Sequence, residues 1–442
     1  MIAVFKKILI ITVMISLSFS VLTADYKYGY INKQGKMVID AKFDNVRDFA
    51  KNGLATVAFN GKWGYINEQG NMVTDAKFDV AENFAQNGLA RVLLNGKYGY
   101  INEQGKMVID AKFDYAESFA QNGLARVEIN GKYGYINEQG KMVTDAKFDN
   151  AASSFDENGL AKVNLNGKWG YINEQGNMVT DAKFDDAVNF AKNGLATVAI
   201  NGKWGSINKQ GKMVIDAKFS TPLNFENGLT TVALNGKWGY INEQGNIVID
   251  AKFDQAWEFA KNGLARVAFN RKWGYINEQG KMVADAKFNY AENFENGLAR
   301  VELNGKWGYI NQEGKMVIDA KFDNAESFDQ NGLARVALNG KYGYINEQGK
   351  MVTDAKFDYA DNFAQNGLAR IALNGKYGYI NEQGNMVIDA KFDNAKSFDQ
   401  SGLARVEING KYGYINEQGK MVIDAKFDYI GSFAQNGLAV VK

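Results

Sequence analysis

Carboxylates, lysines and aromatic rings are the side chains through which this 442-residue chain could do chemistry, because it contains no histidine and no cysteine. The most regular carboxylates are Asp40, Asp75, Asp110 and Asp145, each opening an Asp-Ala-Lys-Phe segment that recurs down the chain. Calcium would need several oxygens converging from one loop, as in Asp-x-Asp-x-Asp-Gly. Here a single carboxylate stands beside a lysine, with a second Asp four residues later in most copies. A turn cap paired to that lysine is therefore the expectation, and no metal ligand is assigned. Glycoside hydrolysis needs two carboxylates in unlike environments across a cleft, which a series of near-identical copies does not supply. Without His or Cys there is no Ser–His or Cys–His nucleophile, no His- or Cys-ligated zinc and no disulfide. Gly-x-Ser-x-Gly, Gly-x-Gly-x-x-Gly and Walker-type loops are also missing from the sequence. The chain reads as non-enzymatic, with no catalytic residue and no cofactor.

The aromatic residues carry the stronger pattern. A Lys-(Trp/Tyr)-Gly segment places its aromatic at Tyr28, Trp63, Tyr98, Tyr133, Trp169, Trp204, Trp238, Trp273, Trp307, Tyr342, Tyr377 and Tyr412, at intervals of 34–36 residues. Everything after residue 24 is this one repeat, and such self-similarity has to be read before any local motif. These rings could serve as stacking platforms for sugars, but recurrence beside a glycine favours the large core residue of each unit. Tyr65 and its counterparts, two residues on, read as phenols that could be half exposed.

Each unit reads as β structure. In one copy, strand A is Leu89–Leu94, strand B is Lys97–Asn102, and strand C is residues 106–110. Asn95-Gly96 between A and B is a strong two-residue hairpin signal, since both residues tolerate positive φ. Glu103-Gln104-Gly105 is a second hairpin loop with Gly at the left-handed position. Residues 111–122 read as a short fourth strand or extended segment, although Phe113, Ala116 and Phe119 at steps of three also suit a helical turn. All but one of the 47 glycines, Gly431, fall at four fixed places in the repeat, so backbone geometry is what the repeat preserves. Arg271 replaces the A–B turn glycine once and is expected to weaken that hairpin.

A 35-residue unit cannot bury both faces alone, so the fold class is all-β, a continuous tandem array of twelve antiparallel units. A propeller-like ring or rings and an open β-superhelix both satisfy this. The repeat begins inside strand B at residues 27–32 and ends with strand A at residues 438–441, so each end could supply the other's missing partner. Twelve blades exceed an ordinary propeller. Two six-bladed rings would divide residues 25–233 from 234–442, near a disturbed stretch, Ser220-Thr221-Pro222-Leu223, in the unit where Ser206 replaces the usual Tyr.

Residues 1–24 have the layout of a secretory signal peptide: a basic start with Lys6 and Lys7, an apolar run over 8–22, and Ala24 before a polar Asp25. A retained anchor would need a run of roughly 20 apolar residues. The expected location is outside the cytoplasm, in the periplasm, at the cell surface or secreted, with no retained membrane span. Lys and Arg number 51 against 50 Asp and Glu, and loss of the leader would take the net charge from +1 to −1. A near-neutral chain has no basic footprint for nucleic acid.

The Lys62-Trp63-Gly64-Tyr65-Ile66-Asn67 and Asn87-Gly88-Leu89-Ala90-Arg91-Val92 segments, with their counterparts across residues 25–442, resemble the bacterial WG-repeat family, also called KWG repeats. The resemblance implies tandem β repeats, often exported, presumed to act in binding or as scaffolds, and it supplies no catalytic residues.

Two further features bear on function. Arg91, Arg126, Arg266, Arg300, Arg335, Arg370 and Arg405 alternate with the apolar face of strand A and lie close in sequence to Glu128, Glu302 or Glu407, which reads as a solvated, charge-balanced sheet face. The position after Phe-Asp varies most between units, and Trp257, the one Trp outside the repeat's aromatic slot, lies in the same segment. Tyr115, Trp257, Tyr290, Tyr359 and Tyr429 are the candidate contacts for a protein or polysaccharide partner, against neutral drift at an exposed loop. Twelve weak equivalent contacts would act by avidity. A structural spacer of the cell envelope with no specific ligand is the alternative function.

Overall fold

A computed structural model describes residues 27–442. The leader read in residues 1–24 lies outside the described residues. The rest folds into twelve antiparallel sheets, ten of four strands and two of three, with no helix among the described residues. In a representative sheet the strands are Val80–Ala81 (D), Leu89–Leu94 (A), Lys97–Asn102 (B) and Met107–Phe113 (C), hydrogen-bonded in that order. Strands A and B match the sequence reading. Strand C runs three residues further than expected, and the fourth strand is only two residues long. It leads ten of the twelve sheets, pairing with the A strand that follows it, and the helical alternative for that segment is excluded.

The A–B register runs unbroken from Leu89 opposite Asn102 to Leu94 opposite Lys97. Asn95 (φ 53°) and Gly96 (φ 77°) close it in the left-handed conformations that match strand twist. The B–C pairing is broken by bulges on either side of Ile109. There the C backbone presses onto Gly99, where a Cβ would lie 2.6 Å from the Ile109 carbonyl oxygen. The glycine beside the aromatic slot thus makes room for a neighbouring backbone.

One residue, Asp114, separates strand C (Met107–Phe113) from the D strand of the next sheet, Tyr115–Ala116. The chain therefore passes from the C edge of one sheet to the D edge of the next, and the core lies between their faces. At one junction Tyr100, Ile109 and Phe113 pack on Ala116, Phe119, Ala125, Val127 and Ile136 of the following sheet, all buried. Full burial of the aliphatic and phenylalanine side chains among them contributes about 1.5–3 kcal/mol each. A counterpart cluster recurs at every junction, including last to first, with the tyrosine missing at the junction that holds Ser206.

The ring closes with Leu438–Val441, which pairs antiparallel with Tyr28–Asn32, from Gly29 opposite Val441 to Asn32 opposite Leu438. The molecule is one propeller-like ring of twelve blades, and neither an open superhelix nor two six-bladed rings. The disturbed stretch 220–223 leaves its sheet with three strands, Leu229–Leu234, Lys237–Asn242 and Ile247–Phe253, but opens no seam.

Candidate functional site

The polar residues of the repeat hold blades together. The Arg91 guanidinium lies over the Tyr98 ring, 5.2 Å from its centroid, and binds the Glu82 carboxylate and the Ala116 carbonyl of the next blade. Its side chain is 14% exposed. Arg126, Arg266, Arg300, Arg335, Arg370 and Arg405 repeat the reach to the following blade, and Lys162 does so through a 3.1 Å bond to the Ala187 carbonyl. The arginines are thus largely buried inter-blade struts rather than a solvated ladder. Where they have carboxylate partners, these come from the loop before strand A, as with Glu117 for Arg126, and not from Glu128, Glu302 or Glu407. The sequence pairing failed because side chains on strand A point across the blade boundary.

The aromatic slot is half-buried, lying at the margin of the core beneath this cation, so it is neither the core ring nor an open sugar platform. The enclosed ring is the tyrosine two residues on. Tyr100 is 1% exposed, donates its hydroxyl to the Glu117 carbonyl of the next blade and packs on Phe119, with ring centroids 4.8 Å apart. Burial pushes the phenols of Tyr30, Tyr65, Tyr100 and their counterparts well above the ordinary range, and that of Tyr414 up to about 12.

Asp40, Asp75, Asp110 and Asp145 are exposed, and the lysine two residues beyond Asp110 lies over the Phe113 ring. The turn cap is the later aspartate. Asp114 takes the Lys97 ammonium and the backbone N–H of Asn130 in the turn of the next blade. Among the described residues no group of three or more carboxylates is placed to hold a metal ion.

The candidate contacts all lie at the D edge. Tyr115, Tyr290 and Tyr359 open their D strands, and Tyr429 occupies the same register in the closing sheet, where its carbonyl accepts a 3.0 Å bond from the Lys442 N–H. Trp257 follows the D strand Gln255–Ala256. Trp257, Tyr290, Tyr359 and Tyr429 are 49%, 43%, 36% and 43% exposed and share the half-ring from residue 255 to 429. Tyr115 stands apart on the other half, half-buried between Arg91 and the edge of Tyr98. Near Tyr429, a groove of about 480 Å³ at the closure is lined by Tyr28, Asn45, Val46, Arg47, Asp48 and Val440. Burial raises the Asp48 carboxyl above its ordinary range.

Sequence reasoning missed the departures from the arginine column, which an alignment of the repeats displays as Thr56, Thr197, Thr231 and Val440.

The WG containing repeat matches twelve consecutive segments, the first at residues 28–63 and the last at 412–442. No curated protein matches the chain. Among solved structures it is similar to a eukaryotic initiation factor at 11% identity, covering 74% of this chain and 95% of that one, with a TM-score of 0.33. It is similar to the extracellular domain of a putative hybrid two-component system of B. thetaiotaomicron at 10% identity, with coverage of 93% and 69% and a TM-score of 0.24. Similarity to Sqt1 of Saccharomyces cerevisiae is 10%, with coverage of 67% and 100% and a TM-score of 0.26. With matches tiling the blades from end to end, the chain belongs to the WG-repeat family.

Proposed function

We propose that this protein is an exported, non-enzymatic ring scaffold that binds a macromolecular partner, protein or glycan, through the D edges of its blades. One observation carries the reading. The Arg, Tyr and Asp side chains of the repeat are spent on neighbouring blades, whereas the leading D position is exposed in most blades, varies between them, and is aromatic in three of the six blades of one half-ring. Exposed aromatic rings on a rigid support are good anchors for either partner. Export rests on the leader of residues 1–24. No helix among the described residues is long and apolar enough to cross a membrane.

Ring closure changes how contacts would add. Twelve equivalent sites lie on a circle rather than along a line, so avidity requires a partner that meets one rim. The test is an array of bacterial and host glycans, peptidoglycan and matrix proteins probed with the full ring lacking its leader. A W257A/Y290A/Y359A variant, checked for folding by circular dichroism, is the comparison. A ligand lost by the variant supports the reading. Binding unchanged by the three substitutions would overturn the assigned edge, and an empty array would favour the envelope spacer.

A further inference from the structure

Ten of the twelve blades present their slot aromatic to a cation, and the source of that cation varies. Eight blades supply it from the third position of strand A, seven as Arg and one as Lys162. Where that residue is Thr56, Arg47 arrives from the preceding loop and lies 5.2 Å from the Trp63 ring centroid. Where it is Val440, Lys442 covers Tyr28 at 5.8 Å. Different backbone positions thus deliver a cation to the slot ring, which makes the covered ring a recurring feature of the blades.

Two adjacent blades break the pattern. Strand A there carries Thr197 and Thr231, and the loop positions equivalent to Arg47 are Val188 and Leu223. Among the described residues no cation lies over Trp204 or Trp238, and both indoles are half-buried like the other slot rings. The carbonyl at the register that accepts the strut elsewhere is Ala256 for the Trp238 blade and Pro222 for the Trp204 blade, where no D strand forms and Thr197 donates to the next carbonyl, Leu223. Asp186, exposed, opens the D strand and lies opposite Ala199, itself opposite Trp204. In two other blades the residue at that register, Tyr290 or Tyr359, touches the slot ring. The Asp186 carboxylate accepts a 2.7 Å hydrogen bond from the Ala187 N–H and, among the described residues, forms no ion pair.

We propose that Trp204 and Trp238 are a paired recognition site for arginine side chains of a partner protein. A guanidinium can lie on an indole face and donate in-plane N–H groups to a carbonyl at once, as the chain's own arginines do. A quaternary ammonium lacks the donors, and Asp186 adds charge complementarity. The site is independent of the exposed aromatics assigned to the D edges.

The test titrates the full ring, without its leader, with a capped Gly-Arg-Gly-Arg-Gly peptide, following indole N–H resonances. Peptides with citrulline or lysine in place of arginine are the controls. Resonances of Trp204 and Trp238 should shift with the arginine peptide, and citrulline should weaken binding about tenfold, as expected for loss of a cation–π contact. A T197R/T231R variant fills both sites from within and should abolish binding while keeping the fold. D186N should weaken binding a few-fold. Unshifted indoles, equal binding of arginine and citrulline or lysine peptides, or undiminished binding by T197R/T231R would each overturn the proposal.

Discussion

Asp114 accepts a 2.7 Å hydrogen bond from the backbone N–H of Asn130, across the boundary between two blades. The ammonium of Lys97 binds the other carboxylate oxygen, and these two bonds hold the Asp114 carboxyl below the ordinary range. Eight further aspartates are lowered in the same way, each with its own lysine as the first cause. A carboxyl depressed in the folded state contributes stability above its unfolded value, about 4, and loses it as pH falls through the folded value. The melting temperature should therefore be flat from neutral pH to about 5 and fall below about 4. Calorimetry across that range checks this, and D114N should reduce the acid sensitivity slightly. An acid melt with no pH dependence would remove these staples from the account.

The buried tyrosines predict the opposite limb. Their folded-state values are raised by burial, so the stability they lend is full below about pH 10 and is lost as pH rises towards the folded values. Absorbance titration across the alkaline range checks this. The enclosed set should ionise only with unfolding, in a cooperative step that coincides with loss of β signal. A single smooth titration of all phenols would contradict the enclosed geometry.

Arg271 shows how much strain one turn tolerates. Asn270 and Arg271 take φ of 51° and 61°, so the expected hairpin forms despite the missing glycine. At the equivalent glycines of other blades an added Cβ would meet no atom within 4 Å, so the cost is conformational and not steric. Arg271→Gly should stabilise the protein by about 1 kcal/mol, the penalty of a left-handed side-chain-bearing residue. Denaturant unfolding measures it, and a loss of stability would show that the Arg271 side chain holds something the turn does not reveal.

The sequence displayed the hairpins because positive φ and period-two alternation are local properties, and Asn95-Gly96 states both. It ranked the two aromatics of strand B wrongly for a physical reason. Tyr98 and Tyr100 share one face of the strand, and which lies deeper is decided by the next blade, whose Phe119 packs on Tyr100 while Arg91 covers Tyr98. The choice of Asp110 over Asp114 failed likewise, since the bulges that prolong strand C to Phe113 place the later carboxylate at the boundary. The unpaired ends at 27–32 and 438–441 fitted closure but did not choose between ring and superhelix. The period fixes the unit but not the rotation between units. Partner contact at Tyr115, Trp257, Tyr290, Tyr359 and Tyr429 depends on what approaches the ring, which no intramolecular pattern encodes.

The blade boundary at Ser206 predicts a compensated pair. Elsewhere a tyrosine here would donate to a carbonyl 17 residues on; instead Thr197 donates its hydroxyl to the Leu223 carbonyl. Leu223 is buried in the cluster of Ile215, Phe219, Val232 and Ile241, which includes no tyrosine, and Ser206 is fully enclosed. Ser206→Tyr alone should overpack this boundary and cost about 1–3 kcal/mol. Adding Leu223→Glu should recover part of that loss, a coupling a double-mutant cycle would detect. Additive effects would mean that Leu223 does not occupy the tyrosine's space.

Closure itself can be tested by cutting it. Removing residues 438–442 takes away the four backbone partners of Tyr28–Asn32 and strips Ala439 and Val441 from a cluster with Ile31, Tyr414 and Ile423. An exposed edge of that length pairs with other chains. The truncated protein should form oligomers by light scattering, while the full chain stays monomeric at the same concentration. Mere loss of buried area would give the same result, so a circular permutant separates the causes. Placing residues 434–442 before Lys27 through an Asn-Gly turn rebuilds the A–B hairpin found in the other blades, with the same strand now entering from the opposite end. That permutant should be monomeric and melt within a few degrees of the parent. If the truncated chain were instead monomeric and equally stable, the hydrogen bonds between Leu438–Val441 and Tyr28–Asn32 would not be what holds the twelve blades in a ring.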